Sequence, residues 1–150
     1  RAEKAAVDSM TRLNKAARDA ARDLRVHAAT DVTGFSLSGH SLEVAENSGV
    51  TVEIDTAKVP ILTEAEELAR FGFIPEGMYN NLDWVNGKIY YSPSIPLEKR
   101  DLMLDPQTSG GLLFFLPMED AETLVKRMDK DYVRIIGRVK KKGEYSVEFI

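Results

Sequence analysis

The chain contains no cysteine. That excludes disulfides, thiolate metal centres and a cysteine nucleophile within these residues. Histidine is almost as scarce. His27 and His40 are the only two, too few for a histidine-rich metal centre. No apolar run approaches the roughly 20 residues that a bilayer-spanning helix needs. The opening Arg1-Ala2-Glu3-Lys4 is charged and helix-prone, unlike the apolar stretch and small-residue cleavage site of a secretory signal. A cytoplasmic setting without a membrane is therefore expected. A large excess of one charge is also missing. Twenty basic residues against 24 acidic ones give a net charge of −4, which provides no broad footprint for nucleic acid. The basic cluster Arg138, Lys140, Lys141 and Lys142 precedes Gly143 between two strand-like runs. It reads as a solvated hairpin turn rather than a phosphate-binding patch.

What is present suits a single domain over residues 1–150. The chain is 43% hydrophobic and 29% charged, an ordinary globular balance with enough apolar surface for a core. Ala6, Met10, Leu13, Ala17, Ala20 and Leu24 recur at steps of three and four, predicting one long opening helix. Val26–Thr30 is a short strand candidate. Asp31-Val32-Thr33-Gly34 then reads as a strand-to-helix turn, followed by a helix to about Asn47 that Gly49 stops. Val50, Val52 and Ile54 alternate with polar residues, the pattern of a half-buried strand. Thr63 with Glu66 forms a capping-box pattern for a short helix ending near Gly72. Residues 73–86 carry Pro75, Gly77, Asn80 and Asn81 and read as a long loop with room for one turn of helix.

Lys88–Tyr91 is the next strand candidate, and Pro96–Met103 reads as a helix. The continuous apolar run Leu112–Leu116 predicts a central strand covered on both faces. Glu119–Met128 is amphipathic. Tyr132–Val139 and Glu144–Ile150 alternate, and residues 140–143 would join them as a hairpin. Interleaved helices and strands with a terminal hairpin predict an α/β domain of the α+β type, a mixed sheet with helices packed on it.

Two turns hold the candidate chemistry. Asp31 sits at a strand end before a helix, where a carboxylate can meet a ligand at the sheet edge. It is a hard oxygen donor suited to magnesium. Equally, Asp31 or Thr33 can cap the helix that follows. In Asp105-Pro106-Gln107-Thr108-Ser109-Gly110-Gly111, two glycines permit close backbone approach and a nest of N–H groups for an anion, with hydroxyls from Thr108 and Ser109. The same residues can simply make a tight turn before a buried strand. The stretch is not a P-loop, because no glycine-lysine-serine/threonine ending is present and a strand follows. His40 on a helix face reads as a packing or hydrogen-bonding residue. Asn80 and Asn81 beside Trp84 read as turn residues.

Taken together, Thr30-Asp31-Val32-Thr33-Gly34-Phe35, Gly39-His40 and Asp105–Leu113 closely resemble the selenophosphate synthetase (selenide, water dikinase) family. That family lies within the aminoimidazole ribonucleotide synthetase-like superfamily. The resemblance extends through Val59-Pro60, Pro75-Glu76-Gly77 and Ile136-Gly137-Arg138-Val139. It implies the C-terminal domain of a two-domain enzyme, a mixed sheet with helices on both faces. The reaction implied is selenide, ATP and water giving selenophosphate, AMP and phosphate. It also implies magnesium, with Asp31 as a ligand at the domain interface, and Thr108, Ser109, Gly110 and Gly111 near the phosphates. The reactive cysteine or selenocysteine and most ATP contacts would belong to an N-terminal domain absent from these residues. That domain would be the chain's partner, in a homodimer, and the 150 residues alone are expected to be inactive. Two departures stand out. Ser36 occupies a position where the family usually has glycine, and Ser38 one where it has an apolar residue. They put close backbone approach there in doubt, and leave open a stand-alone binding or assembly module of the same fold, or another ATP-dependent member of the superfamily.

Overall fold

The computed structural model describes residues 2–128 and 132–150. In chain order these form α1 (Ala2–Met10), α2 (Lys15–Ala21), β1 (Ala28–Asp31), α3 (Ser36–Ser48), β2 (Val50–Ile54), α4 (Ala65–Arg70) and α5 (Glu76–Val85). Then come β3 (Ile89–Tyr91), α6 (Leu97–Leu102), β4 (Leu112–Phe115), α7 (Met118–Arg127), β5 (Gly137–Lys141) and β6 (Val147–Phe149). No helix among the described residues is long and apolar enough to cross a membrane.

The strands make a four-stranded sheet, ordered β3-β6-β2-β5, and a separate two-stranded ribbon of β1 and β4. In the larger sheet β2 is antiparallel to β5 and parallel to β6, and β3 is parallel to β6. The α/β class with a mixed sheet is therefore as the sequence predicts. Alternation sets the core. Val52, Ile54, Val147 and Phe149 join Leu37, Leu42 and Ala45 of α3, Met78 and Val85 of α5, and Met103 and Leu104 after α6. Each large apolar side chain buried this way contributes about 1.5–3 kcal/mol. On the alternate side of the sheet, the Glu53 carboxylate accepts from Arg138 Nε at 2.7 Å and Lys140 Nζ at 2.9 Å. Lys140 also donates to Glu148 at 2.6 Å. Half of the basic cluster thus forms a cross-strand ladder, which holds the Glu53 carboxyl below its ordinary range.

Several local expectations hold. Gly49 ends α3 in the left-handed region at φ 63°, with its N–H on the Ala45 carbonyl. Strand β2 has its predicted bounds.

Others are corrected. The opening helix is two helices, because the predicted apolar face has little to pack against. Helix α1 buries no residue and α2 buries only Ala21, while Leu13 at the break is 77% exposed. Residues 73–86 are not a loop. Pro75 enters α5 in an extended conformation, as the residue before a first turn does, and Met78, Asn81 and Val85 form its buried stripe. The Thr63–Glu66 capping box does not form. Helix α4 begins after Glu64 at φ 76°, with no side-chain cap. Leu112–Leu116 is not a central strand of the large sheet, since among the described residues β4 pairs only with β1 and its four residues are half-buried.

The terminal strands are not a hairpin either, because β2 lies between β5 and β6. The connection crosses the start of β2, and Thr51 pins it. Its buried hydroxyl donates to the Tyr145 carbonyl at 2.6 Å and accepts the Gly143 N–H at 2.8 Å. Replacing Thr51 with valine keeps the shape but leaves both backbone groups without that partner. Thr51→Val should lower unfolding free energy by about 2 kcal/mol in urea titrations, with Thr51→Ser closer to the parent. An unchanged midpoint in Thr51→Val would show that the hydroxyl does not hold the crossing.

Candidate functional site

The two turns singled out in the sequence lie side by side, fastened through their backbones. Val32 N–H donates to the Gly111 carbonyl at 2.9 Å, Gly110 N–H to the Val32 carbonyl at 2.9 Å, and Gln107 N–H to the Thr33 carbonyl at 3.0 Å. Gly110 has a steric reason to be glycine. A Cβ there would lie 2.3 Å from the Val32 oxygen and 2.5 Å from Gln107 Oε1, far inside contact distance. The Gly110 carbonyl in turn accepts from Asn14 Nδ2 at 3.0 Å, which ties the break between α1 and α2 to the same turn. Part of the 105–111 backbone is therefore occupied within the fold, as a tight turn requires. Thr108 is exposed and Ser109 half-buried. Neither hydroxyl has a partner among the described residues, so both remain available to a ligand. Asp105 is half-buried, and burial pushes its carboxyl above the ordinary range.

Asp31, the last residue of β1, is exposed. The capping alternative fails for both candidates. Helix α3 begins after Phe35, with no side-chain cap, and the Thr33 hydroxyl instead meets His40 Nε2 at 3.0 Å. His40 Nδ1 is 3.0 Å from Glu43 Oε2, so the histidine is a hydrogen-bonding residue with both nitrogens engaged. Its ring lies 5.7 Å from that of Phe35, which stacks on Trp84 at 5.0 Å. Gly39 makes room for this pair, since a Cβ there would sit 2.7 Å from Phe35 Cβ and 2.8 Å from Trp84 Cζ3. Asn81 is a clamp rather than a turn residue. Its buried amide donates to the Gly34 and Leu104 carbonyls, both at 2.9 Å. The clamp made by Asn81 and the partnership of Glu43 with His40 are not visible in the sequence. The three-residue step from His40 to Glu43 along one helix face is the one signal that pointed to a pair.

Ser36 adopts φ 62°, the left-handed region that glycine reaches without penalty and serine does not. The turn geometry expected of a glycine is thus kept. The hydroxyls of Ser36 and Ser38 both donate to the Met103 carbonyl, at 2.9 and 2.6 Å, and Ser38 N–H reaches the same oxygen at 3.1 Å. Tyr91 OH donates to Ser38 Oγ at 2.9 Å, and burial pushes the tyrosine up to about 12. The two departures therefore act together, anchoring the start of α3 to the end of α6.

The donor set for a metal is small. Among the described residues no group of three His, Cys, Asp or Glu side chains could hold an ion. One exposed carboxylate suits a magnesium ion that keeps several waters and takes its other ligands from phosphates or another domain. It does not suit a metal enclosed by this chain. The left-handed backbone at residue 36 has a direct test. Ser36→Ala keeps the strain and loses the hydroxyl, whereas Ser36→Gly loses the hydroxyl and relieves the strain. Urea unfolding should find Ser36→Gly more stable than Ser36→Ala by about 1 kcal/mol. The reverse order contradicts the conformation.

Residues 2–150 match the family model described as AIR synthase related protein, C-terminal domain. A selenide, water dikinase of Clostridium botulinum (strain Eklund 17B / Type B) is 46% identical over 137 residues, covering 90% of this chain and 40% of the relative. One from Caldanaerobacter subterraneus subsp. tengcongensis is 45% identical over 145 residues, covering 95% and 42%. One from Treponema denticola is 39% identical over 142 residues, covering 90% and 40%. The chain spans about 40% of the length of these curated relatives. By the match over residues 2–150, the chain belongs to the AIR synthase-related family as its C-terminal domain, with selenide, water dikinases among its similar relatives.

Proposed function

We propose that the chain is the C-terminal domain of an ATP-dependent selenophosphate synthetase, a phosphotransferase that converts selenide, ATP and water to selenophosphate, AMP and phosphate. Asp31 supplies one magnesium ligand at the interface with the protein's N-terminal domain, and Thr108, Ser109 and Gly111 line the phosphate side. Gly110, whose N–H is already given to Val32, sets the shape of that turn. The observation carrying this reading is the backbone fastening of the exposed Asp31 turn to the 105–111 turn, with unengaged hydroxyls beside it. The names of the similar relatives and their greater length agree with it. Selenide and ATP are the substrates, a homodimer is the assembly, and the cytoplasm is the setting. The 150 residues alone do not turn over.

The chemistry this chain can perform is limited and specific. When bound, magnesium supplies charge neutralisation on the phosphates. Asp31 holds its oxygen at the ribbon's end, where the neighbouring Val32 is fixed on both its N–H and its carbonyl. The Thr108 and Ser109 hydroxyls offer hydrogen-bond donors to phosphate oxygens, or acceptors to bound water. The departures at Ser36 and Ser38 motivate a non-catalytic module, but they leave the turn in its left-handed form and do not favour that alternative.

In the full-length protein, Asp31→Asn should lower selenide-dependent ATP turnover by about a hundredfold. The thermal midpoint should stay near the parent's, because the side chain is exposed. Near-parental turnover overturns the assignment.

A further inference from the structure

Behind the Asp31 turn lies a line of three polar side chains: Thr33, His40 and Glu43. Thr33 Oγ1 is 3.0 Å from His40 Nε2, and His40 Nδ1 is 3.0 Å from Glu43 Oε2. The imidazole is 11% exposed and the Glu43 side chain 44%, so the line runs from an enclosed turn out to solvent. Phe35 packs against the ring and is itself backed by Trp84.

With an ionised carboxylate and a neutral ring, the hydrogen-bond directions along this line follow from what each group can donate. An ionised Glu43 carboxylate only accepts, so His40 Nδ1 carries the hydrogen between them. In the neutral ring Nε2 is then an acceptor, and Thr33 must donate to it. The Thr33 hydrogen is committed, which leaves its oxygen lone pairs facing away from His40. Strand β1 ends at Asp31, and exposure still alternates over the two residues that follow it. Asp31 is exposed, Val32 buried and Thr33 half-buried, while Val32 still bonds to β4's approach at Gly111. The buried Val32 thus separates two more exposed residues, Asp31 and Thr33. The Thr33 carbonyl is also held, by Ser36 N–H at 2.9 Å and Gln107 N–H at 3.0 Å. A water bound to a divalent cation points both hydrogens outward and needs acceptors for them, which a freely rotating hydroxyl does not reliably provide.

We propose that Thr33 is a further ligand-facing residue of the Asp31 site, its oxygen oriented by His40 and Glu43 to accept a hydrogen bond from a cation-bound water. Thr33 touches the ligand, and His40 and Glu43 are positioning residues. The inference rests on the metal role given to Asp31. It adds an acceptor of defined direction, to which the dication's water shell is hydrogen-bonded rather than coordinated.

The test uses the full-length protein and two readouts. In protein labelled with 15N-histidine, with the His40 signals identified by their loss in His40→Gln, NMR near neutral pH should show the neutral Nδ1–H tautomer. An Nε2–H tautomer or an imidazolium overturns the inference. Mn2+ affinity in the presence of a non-hydrolysable ATP analogue, followed by electron paramagnetic resonance, is the second readout. Thr33→Val should weaken it about tenfold, as loss of an outer-shell partner does, and Thr33→Ser should restore it at an unchanged thermal midpoint. Parental affinity in Thr33→Val overturns the inference, as does failure of Thr33→Ser to restore binding while it folds normally. Parental Mn2+ affinity in Asp31→Asn refutes the metal role on which the inference depends. A parent that binds Mn2+ and nucleotide but consumes no ATP with selenide refutes the selenide assignment alone.

Discussion

Three backbone hydrogen bonds between residues 32–33 and 107–111 hold the candidate site together. They are short-range contacts between segments far apart in sequence, and each satisfies a polar group that the turn would otherwise leave without a partner. Gly110 is what permits them, because the Val32 oxygen occupies the space a side chain would need. Around this clamp the rest of the site is arranged by secondary anchors. Asn81 ties both turns to α5 through the carbonyls of Gly34 and Leu104. Pro106 packs on Gly77 of the same helix, 3.0 Å from where a Cβ would stand. Asn14 reaches in from the opening segment.

The four-stranded sheet contributes rigidity rather than chemistry. Its apolar face receives α3, and α3 begins where the Asp31 turn ends. The Met103 carbonyl, taking donors from Ser36 and Ser38, links α3 to the end of α6 that leads into Asp105. Buried polar groups satisfied in this way specify one arrangement, since any other would leave them without partners in a low-dielectric interior. A strained serine at φ 62° is kept because the surrounding hydrogen bonds determine it.

The sequence made the class of fold and the short-range features legible. Strand β2 alternates cleanly, Gly49 ends α3, and the two turn motifs stand out by composition. What it concealed was set by distant partners. Helix α5 contains glycine and two asparagines, poor helix formers by local propensity, yet Asn81 finds two carbonyls from other segments and the helix persists. The opening periodicity suggested one helix, but little packs against that face and the chain breaks at Leu13. The terminal alternation suggested a hairpin, and nothing local announces that β2 inserts between the two strands. For the site, Asp31, Thr108 and Ser109 were visible as residue types at turn positions. The Thr33–His40–Glu43 line was not, because it depends on how the helix rotates relative to the strand.

If the clamp makes the two turns one unit, disturbing it at Gly110 should loosen both turns and spare the sheet. Hydrogen exchange on the full-length Gly110→Ala protein measures this directly. Protection should fall at the Val32 and Gln107 amides and stay near parental at Val52 and Ile150, which bond within and beside the large sheet. Parental protection at Val32 and Gln107 would contradict the account, since the two turns would then hold their places without the contact assigned to join them.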